Sequence, residues 1–165
     1  LIHLDLSHNK LQQINDRMIF SNLVIQCLNL SHNNIAEFNI KNTLINVLDL
    51  SFNNLKNLEN EFLRPKYVIV NNNLITKIKI VDEFEWQAQF NSIEEIICSA
   101  LPSFLNYINF NNNKIKILKS NCFYIHSNNI RRYYLCNNQI SYIEPYAFYK
   151  LNNLVELDLS INNLS

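Results

Sequence analysis

The strongest constraint on this chain is a short pattern that returns in phase along its whole length. Its cleanest copy runs from Ile45 to Leu55 and reads INVLDLSFNNL. Leu48 and Leu50 are two apart, so in a strand they share one face while Val47 and Asp49 share the other. Asn53 then breaks the strand, and its amide offers donors and an acceptor to backbone groups that the turn leaves unpaired. Leu55 returns the chain over the same apolar interior. One such unit cannot bury its own apolar edge and needs a copy on each side.

The copies are Leu1 to Leu11, Ile25 to Ile35, the stretch above, Pro65 to Ile75, Leu105 to Ile115, Ile130 to Ile140 and Leu154 to Leu164. Their turn asparagines form a ladder, Asn9, Asn33, Asn53, Asn73, Asn113, Asn138 and Asn162, spaced by 24, 20, 20, 40, 25 and 24 residues. The form L-x-x-L-x-L-x-x-N-x-L resembles the leucine-rich-repeat superfamily over residues 1–165. That resemblance implies an α/β repeat solenoid: a right-handed horseshoe with a concave parallel β-sheet and a mostly irregular or short-helical convex side. Its apolar ladder would include Leu28, Leu30, Leu48, Leu50, Ile108 and Phe110.

The return segments sharpen the resemblance. Ile143, Ala147, Phe148 and Leu151 fit the convex segment of animal extracellular repeats, with Leu118, Cys122 and Phe123 matching one repeat earlier. The mixture of 20- and 24-residue spacings is similar to secreted insect leucine-rich-repeat immune proteins. Leu1 already occupies the first position of a repeat and no capping segment is recognisable, so the chain is expected to be an internal piece of a longer array.

The 40-residue step holds the one irregular region, residues 76–104. Phe84, Trp86, Ala88 and Phe90 alternate as a strand does, and Ile93, Ile96, Ile97, Ala100 and Leu101 have helical spacing before Pro102. One reading is a degenerate repeat with Asn91 as its turn asparagine and a short convex helix. The other is an insertion, a loop that leaves the solenoid and offers Trp86 to a partner.

Composition narrows the function. The chain has 14 basic and 14 acidic residues, so it lacks the basic excess of a nucleic-acid binder. No apolar run approaches the roughly 20 residues that cross a bilayer, and no membrane contact is expected from this segment. Glycine is absent, and the Asn-Asn pairs at the turns are expected to take the positive-φ positions.

Concave strand positions project a patch of Phe52, Tyr67, Ile69, Tyr107, Arg132 and Tyr134, with Asp49, Asn109 and Asp158 among them. Aromatic and arginine side chains dominate protein-binding hot spots. His8 and His32 share a position in consecutive repeats near His3 and Asp5, but no third metal ligand is fixed. Asp5, Ser7 and His8 sit on one strand and cannot form a nucleophile-base-orienter chain. No metal, cofactor or catalytic residue is therefore expected.

Cys27 and Cys136 lie several strands apart, too far to bridge. Cys98 and Cys122 lie in adjacent return segments and are the pair that could bond. Asn29-Leu30-Ser31 and Asn163-Leu164-Ser165 have the N-glycosylation form, though the repeat itself generates such strings. A glycan on Asn29 would push binding toward the later repeats. The expected function is non-catalytic recognition of a protein ligand or co-receptor by an extracellular receptor ectodomain or secreted protein. A cytosolic scaffold or adaptor is the second reading. Immune and developmental or adhesive roles fit equally.

Overall fold

The computed structural model describes residues 1–15, 17–18, 23–40, 43–58, 65–79, 85–97, 105–120, 122 and 129–165. In chain order its strands are β1 (His3–Asp5), β2 (Gln13–Asn15), β3 (Val24–Asn29), β4 (Glu37–Asn39), β5 (Leu44–Asp49), β6 (Tyr67–Ile69) and β7 (Lys77–Lys79). They continue with β8 (Glu85–Gln87), β9 (Glu95–Ile97), β10 (Tyr107–Asn109), β11 (Ile117–Leu118), β12 (Arg132–Tyr134), β13 (Tyr142–Ile143) and β14 (Glu156–Asp158). The chain is a solenoid of stacked parallel strands. One eight-stranded sheet runs β1-β3-β5-β6-β8-β10-β12-β14, and three two-stranded ribbons, β2-β4, β7-β9 and β11-β13, form the return side.

Register follows from the apolar alternation. Leu4 pairs with Leu28, Leu28 with Leu48, Leu48 with Val68, and Val68 with Trp86. Trp86 pairs with Ile108, Ile108 with Tyr133, and Tyr133 with Leu157. A slip of one residue would turn this entire apolar row out to solvent, which holds the register. Between the sheet and the ribbons lies one continuous core containing Leu28, Leu48, Val68, Trp86, Ile108 and Tyr133.

The described part of the irregular region, residues 85–97, carries the strand and turn of a repeat. β8 sits inside the main sheet and Trp86 is only 1% exposed, so it is a core residue and not a loop-borne contact. Asn91 makes the bonds of a ladder asparagine, to Val70, Ala88 and Gln89 carbonyls.

The expected return helices are not seen: no helix occurs among the described residues. Ile96 and Ile97, expected on a helix, lie in β9, with Ile96 buried and Ile97 exposed as strand alternation dictates. Ala100, Leu101 and Pro102 lie outside the described residues. Residues 145–150 make consecutive turns, with Ala147 N–H donating to Glu144 O and Tyr149 N–H to Tyr146 O. Tyr146 (φ 66°) and Lys150 (φ 61°) are left-handed, which interrupts any helix there. Ala147, Leu151 and Cys122 are buried, while Phe148 and Ile143 are half-buried against the core.

Candidate functional site: the open face of the main sheet

Two backbone devices hold this face. The first is the asparagine ladder. Asn53 donates from Nδ2 to the carbonyls of Leu50 (3.1 Å) and Ser51 (3.1 Å) in its own turn and of Leu30 (3.0 Å) in the turn before. Its Oδ1 accepts from the N–H of Ile35 at 2.8 Å. Asn33, Asn73, Asn91, Asn113, Asn138 and Asn162 repeat this reach into the preceding turn. Asn9 bonds the carbonyls of its own turn only, to Leu6 and Ser7. Each interior ladder amide thus staples two successive rungs.

The second device is a left-handed column. The residue just before each ladder asparagine has φ between 53° and 58°: His8, His32, Phe52, Asn72, Phe90, Asn112, Asn137 and Ile161. The Asn-Asn pairs supply this residue at Asn72, Asn112 and Asn137 only; elsewhere histidine, phenylalanine or isoleucine takes it. From His8 to Asn137 the N–H of each bonds the next rung. His8 donates to Ser31 O, His32 to Ser51 O, Phe52 to Asn71 O and Asn72 to Gln89 O. Left-handed geometry costs an ordinary residue roughly 1–2 kcal/mol, and the rung-to-rung bond offsets it.

This column also stacks side chains. The rings of His8 and His32 lie 4.3 Å apart at 8°, and those of His32 and Phe52 4.3 Å apart at 9°. Parallel stacked imidazoles keep their lone pairs in separate parallel planes, so no single ion lies in the plane of both. No group of three metal-ligating side chains occurs among the described residues. Phe52 is therefore part of a stack at the sheet's edge and stands apart from the strand-borne patch.

On the strands, the side chains opposite the core ladder form two columns, within which Asn109 is buried. One places Tyr107 beside Arg132 and Arg132 beside Glu156; the other places Asn109 beside Tyr134 and Tyr134 beside Asp158. The Tyr107 and Tyr134 rings meet edge to face at 5.6 Å. Asn109 Nδ2 donates to the Tyr107 hydroxyl at 3.0 Å, and the Tyr134 hydroxyl donates to Glu156 Oε2 at 2.6 Å. Arg132 Nε lies 3.7 Å from the same oxygen. The bond to Glu156, followed by partial burial, raises the Tyr134 phenol above its usual value and holds it neutral.

Tyr107, Arg132 and Tyr134 thus make one connected cluster with Asn109 and Glu156. Tyr67 and Ile69 stand on β6, separated from β10 by β8. Lys66 Nζ sits 5.2 Å from the centre of the Tyr67 ring. Glu156, together with Glu85 and Gln87 on β8, escapes a reading based on residue type alone. Its signal is positional, since it repeats the place of Arg132 one rung later.

Cys27 and Cys136 are free and half-buried, and Cys122 is disulfide-bonded. Cys98, its candidate partner in the sequence, lies outside the described residues. Asn29 is half-buried, with Oδ1 accepting from Ser31 N–H and Nδ2 donating to Asp5, whereas Asn163 is exposed. No helix among the described residues is long and apolar enough to cross a membrane. The chain matches no known protein-family profile and no curated protein.

Proposed function

We propose that this solenoid is a non-catalytic protein-recognition module of the leucine-rich-repeat type, whose open sheet is the concave face of a horseshoe. The observation that carries the reading is the connected Tyr107–Asn109–Arg132–Tyr134–Glu156 cluster. Its aromatic rings are held in place by neighbours in the free protein, so little side-chain entropy remains to be lost on docking. Tyr67 and Ile69 extend the same face toward β6, and Phe52 marks its edge.

The partner would be a protein ligand or co-receptor, and the setting an extracellular receptor ectodomain or a secreted protein. Disulfide-bonded Cys122 supports an oxidising compartment, and exposed Asn163 is the more accessible glycan acceptor. The free thiols of Cys27 and Cys136 favour the second reading, a cytosolic scaffold using the same face.

The test is to screen the chain against an array of secreted proteins and receptor ectodomains and measure affinity for the partner found. Replacing Tyr107 and Tyr134 together by alanine is expected to weaken it at least about tenfold. An unchanged affinity would move the docking surface elsewhere. Alkylation and mass spectrometry of the native protein separate the compartments: an oxidised Cys122 supports the extracellular reading, a reduced one the cytosolic.

A further inference from the structure

The chain is neutral overall, but the outward strand positions of the main sheet hold more acidic than basic residues. Outward strand positions of the main sheet carry Asp5, Asp49, Glu85, Glu156 and Asp158 against Arg132, with Lys66 and Arg131 just ahead of β6 and β12, among the described residues. Arg132 is itself drawn to Glu156. The return side is mixed, with Glu37, Glu94, Glu95 and Glu144 set among its lysines. Lys77 and Lys79 flank buried Ile78 on β7, and Lys116 and Lys119 flank β11. Glu95 there is shared between Lys77 (3.1 Å) and Lys119 (2.9 Å).

Three tyrosines, Tyr67, Tyr107 and Tyr134, stand on the acidic side. Tyrosine faces attract ammonium and guanidinium groups, as Lys66 beside Tyr67 illustrates within the chain. Carboxylates and tyrosines interleaved on adjacent strands recognise cations both at a distance and in contact.

We infer that the open sheet face docks a cationic protein segment, one bearing several lysines or arginines. The inference rests on the reading that this face is the docking surface and adds the charge class of what docks there. Asp5 and Asp158 support it, because hydrogen bonds from Ser7 and Ser160 hold both carboxyls below their usual range, ionised well into mild acid. The charge complementarity steers association and sets its salt dependence more than its final strength.

The experiment is a fluorescence-anisotropy titration of the chain with labelled oligolysine and oligoglutamate of equal length, at low and at near-physiological salt. Oligolysine is expected to bind more tightly than oligoglutamate and to weaken as salt rises. Glu85→Gln combined with Glu156→Gln should reduce its affinity at least about fivefold. Glu37→Gln with Glu94→Gln, both exposed on the return side, should leave it within about twofold. Preference for oligoglutamate, or an affinity indifferent to Glu85 and Glu156, would overturn the inference. The array-derived partner distinguishes the two levels of failure. Sensitivity to Tyr107 and Tyr134 but not to the glutamates would remove the charge assignment alone, whereas indifference to both pairs would remove the docking face.

Discussion

The two sides of the solenoid obey different rules. On one, eight strands pair without a break from β1 to β14. On the other, the ribbons stop and restart: among the described residues β4 has no ribbon partner in the following repeat, and β9 and β11 belong to separate ribbons. At these interruptions open two grooves, about 470 Å³ beside Phe38 and Asn57 and about 360 Å³ beside Ile96 and Cys122. Pairing begins normally at both, with Asn54 N–H donating to Ile35 O and Lys114 N–H to Ile93 O. Identical asparagines at identical positions lock the sheet side, and among the described residues no equivalent ladder runs along the return side.

The sharpest way to break this comparison is inside the sheet. Trp86→Ala should destabilise the fold by about 3–5 kcal/mol in a denaturant titration, since it removes the largest fully buried side chain. Phe90→Ala, four residues on and 56% exposed, should change stability by less than about 0.5 kcal/mol. Comparable effects at the two positions would mean that β8 is not a rung of the core.

The next test asks whether the ladder amide acts between rungs. Asn73→Ala removes bonds to Leu50, Val70 and Asn71 and strands the buried N–H of Leu55. A loss of about 3 kcal/mol is expected, against about 1 kcal/mol for Asn9→Ala, whose amide bonds its own exposed turn. Equal losses in urea unfolding would show that the amide acts only within its own turn.

The sheet side was legible because its signal is local and repeated. Period-two alternation places Leu48 and Leu50, and an asparagine three residues past the second leucine closes each turn. Even the degenerate copy shows it: Trp86 and Ala88 stand where leucines do, ahead of Asn91. The left-handed column was not legible. Conformational preference points to asparagine, but a bond to the next rung overrides preference at Phe52 and Phe90, and Ile161, in the last rung, takes the same angle. The return side was misread for the complementary reason. Ile96 and Ile97 fit helical and extended spacings alike, and pairing with β7 selects the strand. Glu156 needed the register, which only the assembled sheet provides.

The column offers a smaller test, with a gain in stability. Ile161 is β-branched, 71% exposed and at φ 53°. Ile161→Asn should raise stability by about 1 kcal/mol, as the strained residue gives way to one that tolerates this region. Phe52→Asn should be nearly neutral, because the same relief is offset by losing the stack on His32. Thermal melts of both variants would check it; an equal gain from the two would mean the stacked rings contribute nothing.

The smallest effect belongs to the return side and is electrostatic. Glu95 has its carboxyl pKa lowered from 4.5 by hydrogen bonds from Lys119 and then Lys77, while Glu144 is lowered mainly by the Ser120 N–H. A carboxyl depressed on folding contributes stability that is present above its unfolded pKa and is lost as pH falls through the lower folded value. Melting temperature should therefore drop as pH is taken below 4.5. Glu95→Gln should flatten part of that slope at low salt. Raising the salt should flatten it in the parent chain as well, because both lysine partners of Glu95 are more than half exposed and screened by solvent ions. The Glu144 contribution, held by a backbone N–H, should survive added salt. If Glu95→Gln leaves the low-salt slope unchanged, the lysine pairs do not hold β7, β9 and the segment after β11 together, and the grooves are bounded by backbone alone.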